Sequence, residues 1–282
     1  MVIALLLPGV SGCALVRRGA GRALAPAAGN LAQSLERQED LELVRTGAPA
    51  YLLLLDALAE APTARTETLV AAADAYTAYA LAFVAPEDRE RAFAMFTKAR
   101  DYGLRALAQR RDFRAVMDAP LVEFEAALPR LGMRDVPAMY STAQAWSSMI
   151  LHSGGSVRAL ADFPKALALM HRVAELDPGY RQGGPDLFFG VYYTVQPAGA
   201  GRDLERARKH FERAMREAGD GILMPRVLFA EFYARYRLDE DLFDETLQSV
   251  LAEEEPSPDA ALMNAAARVR ARSLMEQKED LF

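Results

Sequence analysis

From Asn30 to the end of the chain, apolar residues recur at steps of three and four, and alternating runs of β-branched residues are missing. That period belongs to helices with one buried stripe, and it leaves no segment patterned as a strand. The clearest case begins at Asp203, where Leu204, Ala207, Phe211, Ala214, Met215 and Ala218 fall on one side of a helix. Asp203 offers a side-chain oxygen to the first unpaired amides. Glu205 precedes Lys209 by four residues and Glu212 precedes Arg216 likewise, the favourable order for helical ion pairs. Gly219 and Gly221 stop the helix. The same reading marks helices over 66–84, 87–108, 120–130, 136–152, 163–176, 185–196, 225–237, 240–253 and 258–277. Their connections are short or marked by Gly and Pro, as in Gln196–Asp203.

Many helices in one chain form a bundle or a solenoid, and internal repetition discriminates between the two. Ala80 and Phe83 are followed by Ala92, Phe96 and Ala99; Gly190 and Tyr193 are followed by Ala207, Phe211 and Ala214; Ala166, Met170 and Pro178 match a third unit in part. Small residues at these offsets let two helices approach closely, and the large ones fill the space between hairpins. This is the pattern of tetratricopeptide repeats, so the expected fold is all-α, an α-α superhelix of degenerate tetratricopeptide-like helical hairpins. Residues 30–282 show no composition shift and are expected to form one such domain.

The first thirty residues read differently. Residues 1–12 are apolar and uncharged, with a Pro8-Gly9 break and small residues at the end, as in a secretory leader. Val10-Ser11-Gly12-Cys13 looks like a bacterial lipobox, in which cleavage precedes the cysteine and the thiol takes lipid. Cys13 is the only cysteine, so no disulfide forms within the chain. The positive charge that normally opens a leader is missing, which fits a start codon assigned too late. Residues 13–29, with Gly19, Gly21, Pro26 and Gly29 among alanines and three arginines without an acid, read as a flexible tether beside lipid headgroups. Ala14 after the cysteine leans towards the outer membrane in the lipoprotein sorting pattern.

Composition narrows the function. Lys and Arg number 33 against 39 Asp and Glu, a net charge of −6, which gives no basic excess for nucleic acid. His152, His171 and His210 are the only histidines, and neither His171 nor His210 has a partner at metal-ligand spacing. Asp239 to Glu245 opens like a calcium loop but has Asp244 where the turn glycine belongs, so it reads as an acidic helix start. Glu123 and Glu125 point to different faces of one helix, and the Gly-rich loop before Asp203 follows a helix and lacks the lysine of a phosphate loop. No catalytic residues, metal ligands or cofactor are therefore expected, and an enzyme is the least supported class. Trp146, Phe188, Phe189, Tyr192 and Tyr193 are the candidate residues for a ligand or a partner, because large rings on helices can line a groove. Tyr192 and Tyr193 are adjacent, so at least one is expected off the main packing stripe.

Several segments together resemble one family. They are Arg100 to Leu107, Ala166 to Tyr180, Leu187 to Met215 with its Gly-Val-Tyr-Tyr run and long Pro/Gly loop, and Asn264 to Phe282 with its Asp-Leu-Phe ending. Over roughly 30–282 the chain is similar to the T component of tripartite ATP-independent periplasmic (TRAP) transporters, periplasmic lipoproteins of tetratricopeptide type. The resemblance implies a homotrimer with a pore through each protomer. It also implies docking of a periplasmic solute-binding protein and passage of a small hydrophobic or carboxylate ligand. The other reading left open is a general scaffold lipoprotein in cell-envelope or outer-membrane assembly.

Overall fold

The computed structural model describes residues 31–282 except Ala32 and Ala200. The leader, Cys13 and the tether lie outside the described residues. The main helices are α1 (Leu41–Ala59), α2 (Thr66–Tyr79), α3 (Arg89–Leu107), α4 (Leu121–Ala127), α5 (Val136–Leu151) and α6 (Phe163–Leu176). They continue as α7 (Tyr180–Val195), α8 (Leu204–Ala218), α9 (Met224–Leu228), α10 (Glu240–Ala252) and α11 (Ala261–Glu276). No strand occurs among the described residues, so the fold is all-α. None of their helices is long and apolar enough to cross a membrane.

Helix starts follow local chemistry. Asp40, Asp88, Asp203 and Asp239 each accept a hydrogen bond from the backbone N–H three residues on, at 2.9–3.1 Å. Such a cap stabilises a helix by about 1 kcal/mol. Asp239, the residue that opens the calcium-like stretch, thus serves as the N-cap of α10.

Packing runs in chain order: α2 lies against α3, α3 against α5, α5 against α6, and α7 against α8. The chain then continues through α10 and α11, and α11 returns to touch α1. Ala92, Phe96 and Ala99, and likewise Ala207, Phe211 and Ala214, are fully buried at these contacts, as are Ala166, Met170 and Val173. Glycines within α3 and α7 permit the close approach. A Cβ on Gly103 of α3 would lie 2.9 Å from the Cα of Thr142 on α5. A Cβ on Gly190 of α7 would lie 2.9 Å from three ring atoms of Phe211 on α8. Phe211, Phe229 and Tyr233 form an aromatic seam that joins α7 and α8 to the last helices.

Three departures from the periodicity are physical. Helix α1 carries Gly47 and Pro49, residues that argue against a helix interior, and it was not among the helices the pattern marks. Pro49 has no N–H for the carbonyl of Arg45, and the hydroxyl of Tyr79 supplies the missing donor at 2.9 Å. α2 and α9 each run into a π-helical turn, Ala80–Val84 and Phe229–Ala234, which accommodates an extra residue in the ladder. α7 opens on a left-handed turn. Arg181 and Gln182 have φ 51° and Gly183 has φ 82°, and regular helix begins only after them.

Candidate functional site

The left-handed turn decides how α7 meets its neighbours. Each non-glycine residue in that conformation costs roughly 1–2 kcal/mol. Arg181 offsets the cost by reaching Asp74 of α2, donating to Oδ2 at 2.5 Å, while Ser141 of α5 donates to Oδ1 at 2.5 Å. Its guanidinium lies over the rings of Tyr140 and Tyr180 at 5.6 and 5.9 Å. Burial pushes the Asp74 carboxyl up, and the Arg181 charge and the Ser141 hydroxyl oppose that rise. Burial likewise raises the Tyr140 phenol to about 12. Gly183 is held against the backbone of Ala214, where a Cβ would sit 2.9 Å from its Cα. Pro185 then fits the first regular turn, where its missing N–H has no partner to lose.

So placed, α7 presents Asp186, Phe189 and Tyr193 to α6 and α8. A cavity of about 350 Å³ opens between the three helices. Phe189, Tyr193, Pro178 and Pro185 give it an apolar floor, and His171, Asp186, Arg206, His210 and Arg213 give it a charged edge. The rings stand close together. His171 is 4.6 Å from Phe189 between centroids, His210 is 5.3 Å from Phe189, and His210 stacks on Tyr193 at 5.5 Å.

Asp186 organises the charged side. It accepts from His210 Nδ1 at 2.6 Å and from Arg213 Nη2 at 2.8 Å, with Arg213 Nε at 3.1 Å from both oxygens. A carboxylate only accepts, so Nδ1 carries the proton, and the 2.7 Å approach of Arg213 Nη2 to it is two donors crowding one oxygen. Burial pushes the Asp186 carboxyl up, but the hydrogen bonds from His210 and Arg213 outweigh this and hold it below the ordinary carboxylate value. Burial against the Phe189 ring lowers the His171 imidazole, although its outer edge reaches solvent. Arg206 has no such partner. Its guanidinium lies 4.7 Å over Tyr193, and its nearest carboxylate, Asp203, is 4.0 Å away.

The five sequence candidates separate here. Phe189 and Tyr193 line the cavity. Phe188 and Tyr192 are half-buried outside the cavity lining, their rings 5.5 and 5.0 Å from Phe189 and Tyr193, and the Tyr192 ring lies 5.7 Å from Phe163. Trp146 is on α5, away from the cavity and 5% exposed, beneath the Arg100 guanidinium at 5.9 Å, with no hydrogen-bond partner for its indole N–H among the described residues. The sequence reading missed Asp186, Arg206 and Arg213. The signal was the spacing of Arg206, His210 and Arg213, which share a face of α8, but nothing local shows that Asp186 stands opposite. Among the described residues no group of three or more His, Cys, Asp or Glu side chains converges on a metal position.

Comparison with known proteins gives one family. The sequence model described as "TRAP transporter T-component" matches residues 37–282. A search of curated proteins returns no match.

Proposed function

The chain belongs to the TRAP transporter T-component family, and from that premise we propose that it is the lipid-anchored accessory subunit of such a system, docking a periplasmic solute-binding protein. The observation that carries this reading is the family match over 37–282, nearly all of the helical body. In this reading residues 1–12 are removed as a leader, Cys13 carries the lipid, 13–29 are the tether, and 30–282 form one domain. Two or more acyl chains give lasting attachment, since each buried methylene contributes about 0.8 kcal/mol. The protein then lives in the periplasm, held at the outer membrane.

The successive hairpins stack in this reading as a tetratricopeptide-like superhelix, assembled as a homotrimer. The close glycine contacts and the buried small–large–small triplets of α3 and α8 support that stacking. Its role is transport rather than catalysis: it receives the solute-binding protein and passes a small hydrophobic or carboxylate ligand. The test is a pull-down of the cognate solute-binding protein on a preparation independently shown to be trimeric. Recovery of that protein is expected. Recovery of envelope-assembly factors in its place would favour a general scaffold and overturn the proposal.

A further inference from the structure

We propose that the cavity between α6, α7 and α8 is a binding site for a small aromatic acid, a planar ring bearing one carboxylate. Size sets the first limit. At about 350 Å³ the space lies near the lower end of ligand pockets, which run from about 300 to 1,000 Å³, so it holds one ring and not an extended or polycyclic molecule. Shape and surface set the second. Phe189, Tyr193, His171 and His210 stand 4.6–6.4 Å apart, the range at which aromatic rings attract one another, so a planar guest joins an existing ring cluster.

Charge sets the third limit. The lining carries two guanidinium groups against one carboxylate. Asp186 already serves Arg213 and His210, which leaves Arg206 as the cation with donors to spare. No side chain among the described residues accepts a hydrogen bond from its guanidinium, and Asp203 at 4.0 Å is too far for one. A guanidinium presents a planar pair of donors matched to a carboxylate. Held over Tyr193, Arg206 stands at the edge of the ring floor, so an acid group on the guest meets it while the guest's ring lies against Tyr193 and His171, above the buried Phe189. A cationic guest meets two like charges, and a neutral one forgoes the contact with Arg206, whose exposed guanidinium then stays with water.

This inference rests on the ligand-handling part of the function proposed above and gives it a site. It is independent of docking. The test uses the full-length protein alone in detergent, so its failure leaves docking standing, and a failed pull-down leaves this site standing.

Calorimetric titration compares benzoate with benzamide, which keeps the ring and loses the charge, and with cyclohexanecarboxylate, which keeps the charge and loses the aromatic face. The expected result is saturable benzoate binding, with both analogues weaker by about tenfold. Arg206→Gln alters an exposed side chain of α8; it is expected to weaken benzoate by about tenfold, leave benzamide unchanged and keep the melting temperature. Equal affinity for the three compounds, benzoate binding unaffected by Arg206→Gln, or no benzoate binding up to its solubility would each overturn the assignment.

Discussion

Gly190 is the most exposed point of the packing argument. Its backbone sits so close to Phe211 that a Cβ would lie 2.9 Å from Cγ, Cδ2 and Cε2 of the ring, where carbon atoms ordinarily rest about 3.5–4.0 Å apart. The ring cannot swing aside, because Phe211 is fully buried and Phe229 meets it edge-on at 5.8 Å. Gly190→Ala gains about 1 kcal/mol of helix propensity and meets an overpacking cost of about 1–3 kcal/mol, so it should be neutral to mildly destabilising. Gly190→Leu adds bulk with no space to fill and should lose about 3 kcal/mol. For a domain of this size that is roughly a 6–12 °C fall in melting temperature, read by calorimetry and checked by urea unfolding. Gly47→Ala is the control. Nothing lies within 4 Å of a Cβ there, on the exposed side of α1, so it should gain about 0.5–1 kcal/mol. A Gly190→Leu protein that melts with the wild type would refute the close α7–α8 contact.

Three further predictions concern other elements. Asp56 accepts from Lys98 at 2.5 Å and from Tyr76 and Tyr102 at 2.7 Å; burial pushes its carboxyl up, but these bonds outweigh burial and hold it below the ordinary 3.8. A lowered folded-state value means the stabilisation is present above about pH 4 and is lost as pH falls through that value, so Asp56→Asn should cost about 1–2 kcal/mol at pH 7, a difference that narrows in urea titrations below pH 4. Asn264, 3% exposed, accepts from the Leu223 N–H and donates to the Gly221 carbonyl, tying α11 to the start of α9; Asn264→Ala strands the Leu223 N–H, while the Gly221 carbonyl keeps its bond from the Ser257 N–H, and should cost about 2 kcal/mol by urea unfolding, with hydrogen exchange rising first around 221–224. Cys13→Ala should release the protein from membranes without changing its melting temperature, and continued sedimentation with membranes would contradict the anchor.

The helices with one apolar stripe were legible because their burial repeats locally: Ala207, Phe211 and Ala214 announce α8 with no knowledge of what covers them. Helix α1 was not marked, because Gly47 and Pro49 interrupt its pattern and the donor that meets the Arg45 carbonyl, the hydroxyl of Tyr79, comes from another helix. The left-handed turn at Arg181 was equally hidden, since it depends on Asp74, far away in the chain. The π turns left no trace, because one additional residue in a ladder barely shifts a three-to-four period. In the candidate site the rings were visible as rings, and Phe189 and Tyr193 do line the cavity. That Phe188, Tyr192 and Trp146 stay outside its lining is set by helix rotation and by the partner each face meets. The ion cluster around Asp186 pairs α7 with α8, and a pairing between helices has no signature within either one.

Native mass analysis of complexes extracted with the membrane attachment intact tests the central claim most directly. The account predicts a lipid-modified trimer carrying a periplasmic solute-binding protein. An unlipidated monomer, or a trimer that retains no such protein under conditions that keep the transporter together, would contradict it.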